Sequence, residues 1–598
     1  MCGIAGLWNS ERGAPVDRPL LERMIGSLAH RGPDGDGVHV EPGVGLAHRR
    51  LAIIDRSGGA QPLGNEDLSV MVTFNGEIYN FQELAKELQN LGHKFRTHSD
   101  TEVIVHAWEQ WGEDCVRRFA GMFVFALWDR NRQALFIARD RLGKKPLYYA
   151  WLPEGGLAFA SELKALLVHP RIARDIDPQA VEEYFGLGYV PDPRSIFRSV
   201  RKLPAAHTLL VSRTGTRPSP REYWDLPRFA TAKTDEATAC QELTEQLKAA
   251  VKARLISEVP LGAFLSGGVD SSAVVAMMAQ ISKDPVNTCS ISFSDPKYDE
   301  AKYAQAVADR YRTNHHVERV ESDDFGLIDT LANVYDEPFA DSSAIPTYRV
   351  CQLARKRVIV ALSGDAGDET FAGYRRYRWH MYEERIRSVL PYLVRRPLFG
   401  ALGAIYPKVD WAPKIFRAKT TLQSLALDSV AAYFNTVSVV PDYLRKNLLS
   451  ANLRRELQGY NAVEVLRSFG DKVRDFDPLS LVQYVDFKTY LCGDILTKVD
   501  RASMAHSLEV RVPMLDHRFL EWAVKLPPGL KLKGQEGKHI LKKAMEPHLP
   551  HDIMYRAKMG FAVPLASWFR GPLRGRVREL IDGGALAATG YFDPAMVR

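Results

Sequence analysis

Short apolar stretches with the alternation typical of β-strands recur through the first 210 or so residues of the chain. They predict strands at Gly3–Leu7, Gly45–His48, Val70–Phe74, Met122–Trp128 and Ala134–Ala138. Two stretches with helical spacing, Phe81–Leu91 and Thr101–Trp111, interrupt these strands. Strands that pack in layers with helices predict an α+β sandwich for this part of the chain.

The pattern changes after residue 211. Arg, Thr, Pro, Ser and Gly dominate residues 212–235, a composition typical of a linker. Strands and helices then alternate: helix around 243–255, strand Pro260–Leu265, helix Ser271–Gln280, strand Asn287–Phe293, a helix from Glu300 and strand Arg357–Leu362. This alternation predicts a parallel, doubly wound sheet, and helices dominate beyond about residue 375. We therefore predict domains at 1–211 and 236–598 joined by a linker at 212–235.

Composition narrows the class of protein. The chain has 598 residues, 46% of them apolar and 25% charged, which is typical of a globular protein with more than one domain. The net charge is only +7 and no run of five Lys or Arg occurs, which argues against nucleic acid as a partner. Six cysteines without a C-x-x-C pair favour a reducing, cytoplasmic setting without structural zinc or disulfides. No apolar stretch approaches the roughly 20 residues of a membrane span, and the N-terminus does not read as a signal peptide.

Cys2 is a candidate nucleophile. It directly follows Met1, and removal of the methionine would give Cys2 a free α-amine with a pKa of about 7.7–8.0. Such an amine can act as the base for the thiol of the same residue. A cysteine at this position is weak evidence alone, since most such cysteines are structural or accidental.

Three further features give the Cys2 hypothesis weight. Acyl transfer needs donors for a developing oxyanion, which Asn75 and Gly76 can supply. A free amino acid needs a cation for its carboxylate and an anion for its ammonium, which Arg50 and Asp100 can supply. Singly, these residues also fit a turn, a surface ion pair and a helix cap.

Two glycine-rich turns follow predicted strands in the second half. The turn Ser266-Gly267-Gly268-Val269-Asp270-Ser271-Ser272 precedes a helix whose N-terminus can bind phosphate, and it is not a Walker A loop. The turn Ser363-Gly364-Asp365-Ala366-Gly367-Asp368 follows another strand, so both turns should face one crevice. Asp270 and Asp368 would then hold Mg²⁺ against the phosphates. A turn that simply caps a helix is the alternative.

The N-terminal motifs resemble the class II glutamine amidotransferase domain, most closely that of the asparagine synthetase B family. The resemblance rests on Met1-Cys2-Gly3-Ile4-Ala5-Gly6, His30-Arg31-Gly32-Pro33-Asp34, Arg50-Leu51-Ala52-Ile53-Ile54-Asp55, Phe74-Asn75-Gly76-Glu77-Ile78-Tyr79-Asn80 and Ser99-Asp100-Thr101-Glu102. It implies an N-terminal-nucleophile αββα sandwich in which Cys2 attacks glutamine, forms a thioester and releases ammonia. It also implies an oxyanion hole at Asn75 and Gly76. The implied glutamine-binding residues are Arg50, Ile53, Asn75, Gly76, Glu77 and Asp100.

The second half resembles the ATP-pyrophosphatase domain of the same family, with a helical C-terminal part. The resemblance implies an ATP site formed by Leu265, Ser266, Gly267, Gly268, Asp270, Ser271, Ser272, Ile291, Ser363 and Gly364. Lys558 would neutralise the leaving pyrophosphate, and Asp365 would serve catalysis. The implied product is asparagine from aspartate, through an acyl-adenylate that ammonia attacks. Asp494, Lys498 and Asp500 fit either a functional role or a solvated helix face.

Two departures concern the acceptor half. Relatives carry Glu where this chain has Asp365, and they carry an Arg shortly before the position of Pro346, which is absent here. Both features resemble a large bacterial branch of asparagine synthetase-like amidotransferases, and the N-terminal half resembles the exosortase-associated amidotransferase 1 type in particular. That resemblance admits another carboxylate, such as a uronic acid, as the acceptor. Three alternatives to an aspartate-dependent synthetase therefore stay open. The enzyme acts on another carboxylate, it is a simple glutaminase whose second domain is a scaffold, or the protein is non-catalytic. The family suggests a homodimer, and a chain that stops at Arg598 is expected to be longer or trimmed in its native form.

Overall fold

The computed structural model describes residues 1–11, 13–213, 217–293, 299–320, 326–407, 418–556 and 565–598. The first half contains two six-stranded sheets. Its strands are β1 Gly3–Trp8, β2 Gly35–Glu41, β3 Val44–Arg50, β4 Leu63–Gly64, β5 Val70–Ile78, β6 Gly121–Asp129, β7 Ala134–Arg139, β8 Tyr148–Trp151, β9 Leu157–Ala160, β10 Val200–Lys202, β11 His207–Ser212 and β12 Arg221–Glu222. Its helices are α1 Arg18–Gly26, α2 Phe81–Asn90, α3 Glu102–Trp111, α4 Cys115–Arg118, α5 Leu163–Leu166 and α6 Pro178–Leu187.

The two sheets pack face to face and form the sandwich that the sequence predicts. One has the order β10-β8-β9-β1-β3-β2 and the other β12-β11-β7-β6-β5-β4. A core between them includes Ile4 and Leu46 from the first sheet and Val124 and Ile137 from the second. Helices α2 and α3 cover the outer face of the second sheet, and α1 and α5 cover the first. This is the predicted αββα arrangement.

The second half is built on one parallel sheet of order β15-β14-β13-β16-β17. Its strands are β13 Leu261–Phe264, β14 Asn287–Phe293, β15 Asn314–Val320, β16 Val360–Leu362 and β17 Glu509–Arg511, and a small hairpin adds β18 Leu532–Lys533 and β19 Glu536–Gly537. The helices up to residue 405 are α7 Glu236–Ala253, α8 Val269–Ile281, α9 Ala301–Tyr311, α10 Leu327–Tyr335, α11 Ala344–Arg355, α12 Gly367–Thr370, α13 Arg375–Val389 and α14 Tyr392–Ile405. The predicted parallel sheet is confirmed.

Helices make up most of the remaining described chain, as predicted. They are α15 Lys419–Leu425, α16 Ser429–Val437, α17 Asp442–Leu448, α18 Ala451–Leu457, α19 Val463–Gly470, α20 Pro478–Lys488, α21 Thr497–Met504, α22 His517–Lys525, α23 Pro528–Lys531, α24 His539–Met545, α25 His551–Met554, α26 Leu565–Arg570, α27 Arg574–Asp582, α28 Ala585–Ala588 and α29 Pro594–Val597. A π-helical turn, Leu491–Leu496, precedes α21. Among the helices that the structure describes, none is long and apolar enough to cross a membrane.

The segment predicted as a linker is packed against both halves. Strand β12 pairs with β11 at the edge of the second sheet. Tyr223, Leu226 and Phe229 are buried, and Phe229 lies in a core cluster with helices of the second half. Aromatic side chains in a polar stretch therefore fasten this segment, although its composition resembles that of a free linker. The domain limits given above stay a prediction.

Candidate active site

Cys2 lies at the start of β1, buried between the two sheets and the second half of the chain. Its backbone nitrogen donates a hydrogen bond to the side-chain Oδ1 of Asn75, at 2.9 Å. Its thiol lies 3.9 Å from the carbonyl oxygen of Leu51. Because β1 and β5 belong to facing sheets, the fold brings together residues 73 positions apart. The structure thus places Cys2 beside the predicted oxyanion residue.

Asn75 and Gly76 have the features that an oxyanion hole needs. The Asn75 Nδ2 is buried and has no hydrogen-bond partner among the described residues, so this donor is available to a ligand. Gly76 has φ +154°, and a Cβ there would lie 2.0 Å from the carbonyl oxygen of Met122. Only glycine fits this position, which allows β5 to lie against β6 beside the nucleophile.

The predicted glutamine-binding residues lie in the loop after β3, near the end of β5 and just before α3. Arg50 Nη2 donates to the carbonyl oxygen of Asp55 at 2.6 Å, which fixes the guanidinium across its own loop. Ile53 is buried in the same loop. Asp100 does not cap α3, because its carboxylate accepts a hydrogen bond from the Ile78 N–H at 2.9 Å and Thr101 stands at the helix N-cap. This bond fixes Asp100 at the end of β5, close to Glu77.

Two buried carboxylates give this pocket its charge. Burial raises the pKa of Asp100 to about 6, and the hydrogen bond from Ile78 opposes the shift. Burial and the neighbouring Glu509 raise the pKa of Glu77 well above its usual value. The Glu77 carboxylate lies 3.3 Å from Arg511 Nη2 of the second half. Acidic groups suited to an ammonium therefore lie together near the end of β5, and Arg50 in the loop after β3 stays the predicted cation for a carboxylate.

Met1 occupies a buried position between the two halves. Its ammonium lies 3.1 Å from the carboxylate of Glu509. Its side chain packs in a cluster with Tyr79, Met122 and Met504. Burial raises the pKa of the Cys2 thiol, and the nearby ammonium opposes that shift. Removal of Met1 would expose the Cys2 nitrogen as an amine that is already oriented by Asn75.

Arg31 is a functional candidate that the sequence did not reveal. Its Nε donates to the Cys2 carbonyl oxygen at 3.0 Å, and its Nη1 lies 2.8 Å from Asp500 of α21. A third contact joins it to Glu162 at 2.7 Å. In the sequence Arg31 stands out only as part of a family motif, because spacing alone cannot show that a charged side chain is fully buried. Asp500 of the second half therefore holds Arg31, which in turn bonds the backbone of Cys2.

The two glycine-rich turns touch each other. A Cβ on Gly364 would lie 2.5 Å from the backbone nitrogen of Ser271, and one on Gly367 would lie 2.2 Å from the carboxylate of Asp270. Both turns border one cavity of about 1520 Å³. Of the predicted ATP-site residues, the cavity is lined by Leu265, Ser266, Gly268, Asp270, Ser271, Ile291, Ser363 and Gly364. Gly267 instead packs against Tyr303, and Ser272 is buried in α8.

Lys538 joins the two predicted metal ligands. Its Nζ contacts the carboxylates of Asp270 and Asp368, the latter at 2.9 Å. Two carboxylates that converge on one ammonium also suit a divalent cation, because Mg²⁺ prefers oxygen ligands. Lys538 directly follows the small hairpin and lies 170 residues after Asp368 and 268 after Asp270, so no spacing in the sequence singles it out.

Further acidic and basic groups line the same cavity. Asp365 accepts a hydrogen bond from the Ser363 hydroxyl, and burial raises the pKa of its carboxylate. Lys498 lies 2.5 Å from Asp341, and burial together with Asp341 raises the pKa of Asp494. Lys558 lies outside the described residues.

Strands β16 and β17 connect the two sites. Val360, at the start of β16, packs with Leu51 and Ile53 of the predicted glutamine-binding loop, and the strand ends just before Ser363 of the predicted nucleotide site. The Ser363 N–H donates to the carbonyl oxygen of Arg511 at 2.9 Å. The side chain of Arg511 contacts Glu77, so one residue touches both sites.

Two family models match the chain. The asparagine synthase model matches residues 242–598, and the glutamine amidotransferase domain model matches residues 1–224. The chain belongs to the glutamine-hydrolysing asparagine synthetase family. It is 32% identical to glutamine-hydrolysing asparagine synthetase 1 of Bacillus subtilis over 97% of this chain and 90% of that protein. It is 37% identical to putative glutamine-hydrolysing asparagine synthetase 2 of Methanocaldococcus jannaschii, over 84% of this chain and 98% of that one.

The solved structure of glutamine phosphoribosylpyrophosphate amidotransferase from B. subtilis is also similar. It has 15% identity and a TM-score of 0.29, and the match covers 53% of this chain and 81% of that chain. This overlap is too small to bear on function. The family matches confirm the predicted family and the predicted enzyme class, a carbon–nitrogen ligase with glutamine as nitrogen donor.

Proposed function

We propose that this enzyme hydrolyses glutamine at Cys2 and uses the ammonia to convert aspartate into asparagine, with ATP cleaved to AMP and pyrophosphate. The observation that carries the proposal is the pairing of Cys2 with Asn75, whose second amide atom faces the site without a partner among the described residues. A structural cysteine would not need an available donor beside it. Relatives that span nearly the whole chain carry the name of this activity.

In the first half-reaction the Cys2 amine, freed by removal of Met1, takes the thiol proton. The thiolate attacks the side-chain carbonyl carbon of glutamine, and Asn75 Nδ2 with the Gly76 N–H stabilises the oxyanion. The carbon–nitrogen bond breaks as ammonia leaves with a proton from the amine, and a thioester remains. Water then hydrolyses the thioester to glutamate and regenerates the thiol.

In the second half-reaction the acceptor carboxylate attacks the α-phosphate of ATP. Pyrophosphate leaves, and ammonia then displaces AMP from the acyl-adenylate. The backbone of the turn 266–272 and the N-terminus of α8 would hold the phosphates. Asp270 and Asp368 would hold Mg²⁺, which when bound would offset phosphate charge. Lys538 then remains as a second cation against the same phosphates.

The identity of the acceptor carboxylate is the least restricted part of the proposed reaction. Arg375 and Arg378 on α13 line the same cavity as the turn around Gly364. Either guanidinium can hold the carboxylate that is not activated, and would so replace the Arg that this chain lacks before Pro346. The cationic Lys498, beside Asp341, can orient the reacting carboxylate. Aspartate carries both carboxylates that this arrangement needs.

Ammonia must pass from Cys2 to the second site without protonation by bulk water. Met1 lies on this route, among Tyr79, Met122 and Met504 at the contact between the halves. Its removal would leave a space next to the new amine, bordered by Tyr79, Met122 and Met504 and by the charged ends of Glu509 and Lys145. We infer that this space begins the passage and that ammonia leaves it along the apolar side, where the neutral form is favoured over ammonium.

The test measures pyrophosphate and amide product with glutamine, ATP, Mg²⁺ and a panel of carboxylates. We expect stoichiometric pyrophosphate, AMP and asparagine with aspartate. Product with a uronic acid and none with aspartate would replace the acceptor but retain the mechanism. Glutamate without pyrophosphate for every acceptor would reduce the protein to a glutaminase.

Cys2→Ala separates the two half-reactions. We expect loss of all glutamine-dependent product and retention of product with ammonium chloride, because the second site does not use the thiol. Cys115→Ala serves as a control, as this cysteine is buried in the core of the first half. Equal loss of both activities in Cys2→Ala would contradict the two-site mechanism.

A further inference from the structure

Helix α14 turns its apolar face away from the protein. Leu393, Val394, Leu398, Leu402 and Ile405 fall within about half of the helix circumference. Leu393 is 86% exposed and Ile405 is 81% exposed. Val389, at the end of the preceding helix α13, is 77% exposed and extends this face. Surface helices normally turn the apolar stripe inward, so the arrangement needs a reason.

Polar contacts, on the opposite side, fasten α14 to the body of the protein. Arg395 is buried and donates to the carbonyl oxygen of Leu425, at 2.6 Å, and to that of Leu427. Gly403 packs closely against Gln423 of α15. Lys419 donates to the carbonyl oxygen of Tyr406, at 2.8 Å, just beyond the helix C-terminus. The orientation of the apolar face is therefore built by specific bonds, and a rotation of the helix would break them.

Positive charge is concentrated on the same segment. Residues 383–419 contain eight Lys or Arg and three acidic residues, a net charge of +5, and Arg387 among them is paired with Glu383 and Glu384. The whole chain has 79 basic and 72 acidic residues, so the remainder holds 71 basic and 69 acidic residues and is nearly balanced. Within the described part of this segment, Arg385 and Arg396 are exposed at the edge of the apolar face. Residues 408–417 lie outside the described residues and enter only through their sequence.

We propose that the apolar face of α13–α14, together with its arginines, docks this enzyme on an anionic lipid surface. An exposed apolar face with a basic edge is the pattern of a helix that lies in the membrane interface. With 14 residues, α14 is about 21 Å long, enough to lie in the interface and too short to span a bilayer. A second copy of the chain is a poor occupant, because the exposed arginines and the net charge of +5 on each segment would repel those of the other.

Docking has a consequence for the proposed acceptor site. Arg375, Arg378, Trp379 and Tyr382 line the cavity from the first turns of α13, whereas Ile386 and Val389 at its end belong to the exposed face. Helix α13 has 15 residues and is therefore about 22 Å long. A docked enzyme would hold the cavity within about this distance of the lipid headgroups. This point rests on the proposed function, whereas docking itself does not.

The test is co-sedimentation of the full chain with vesicles of phosphatidylcholine, with and without about a quarter phosphatidylglycerol. We expect binding only to the anionic vesicles, weakened by added salt. Leu393→Ser combined with Ile405→Ser should weaken binding at least about tenfold. Arg385→Gln combined with Arg396→Gln should weaken it about tenfold as well.

The matched control is Leu91→Ser combined with Leu580→Ser, which removes two leucines that are 53% and 58% exposed elsewhere on the surface. These substitutions should leave vesicle binding unchanged. Asparagine formation in vesicle-free solution reports that each variant is folded, and it also keeps a failure of docking distinct from a failure of the proposed reaction. Absence of binding to anionic vesicles, or equal loss in the control, overturns the proposal. A change of oligomeric state on gel filtration in the Leu393 variant would assign the face to a protein contact instead.

Discussion

Asn75 performs two tasks with one amide group. Its Oδ1 orients the nitrogen of Cys2, and its Nδ2 faces the site as an available donor. The amide therefore couples the position of the base to the position of the oxyanion. A backbone donor could not do both, because it offers a single hydrogen.

Asn75→Ala should lower kcat for glutamine hydrolysis about 100- to 1000-fold, the usual cost of one oxyanion donor. Product formation with ammonium chloride should persist. Asn80→Ala is the control, since Asn80 lies two residues after the same strand and its side chain bonds the backbone of Arg118 and Ala120. A loss below about threefold in Asn75→Ala would exclude it from the oxyanion hole.

Asp100 should give the glutaminase a pH dependence of its own. Burial raises its pKa to about 6, so the carboxylate is charged above this pH and neutral below it. The ammonium of glutamine then loses its partner in acid, and kcat/KM for glutamine should fall as the pH drops through about 6. Hydrolysis measured without ATP or acceptor reports this step.

Asp100→Asn should lower kcat/KM about ten- to a hundredfold at pH 8, the cost of one charged hydrogen bond, and remove the step near pH 6. A variant that keeps the wild-type pH profile would assign the step to another group, with Glu77 as the next candidate.

At the scale of elements, short parallel strands position both sites. Strand β16 has three residues, yet it begins against the glutamine loop and ends at the nucleotide turn. In a parallel sheet the carboxyl ends of neighbouring strands meet at one edge, so β13 and β16 deliver their glycine-rich turns to the same cavity. The two turns can then approach each other this closely only because the contact positions are glycines, which have no side chain.

Gly364→Ala should disrupt this contact, because its Cβ would lie 2.5 Å from the Ser271 nitrogen. We expect pyrophosphate release to fall at least about tenfold, since the phosphate site depends on sub-ångström placement. Glutaminase activity should stay within about twofold. Gly529→Ala, where a Cβ meets open space, is the matched control.

The elements were predictable because their apolar periods are regular, and the parallel sheet followed from strand and helix alternation. The predicted strand Asn287–Phe293 agrees with β14 at both ends. The packed segment around Tyr223 and Phe229 was missed, because single aromatic residues do not form a period. Arg31 and Lys538 were missed for a related reason: their partners come from distant parts of the chain, and only tertiary structure brings them together.

At the scale of the whole molecule, the two halves share the glutamine site. Glu258 of the second half accepts hydrogen bonds from the N–H groups of Asp55 and Arg56, at 3.0 and 3.3 Å. These bonds hold the loop that carries Arg50 and Ile53. The first half therefore depends on the second for the shape of its own substrate pocket.

Glu258→Ala should raise KM for glutamine about five- to tenfold, because the loop loses two charge-assisted bonds. The ammonium-dependent reaction should not change. Glu258→Gln keeps one carbonyl acceptor and should lose less. A KM for glutamine in Glu258→Ala equal to that of the unsubstituted enzyme would show that the loop holds its shape without this contact.

Met1 gives the molecule an unusual dependence on its own maturation. Its ammonium and side chain lie in the interior, against Glu509 and among Tyr79, Met122 and Met504, so we expect an unprocessed chain to fold. Such chains would have the fold and stability of processed chains but would lack the amine that the reaction needs. The specific activity of a recombinant batch should then track the efficiency of the host's methionine aminopeptidase, and intact-mass measurement becomes the first step of any kinetic study.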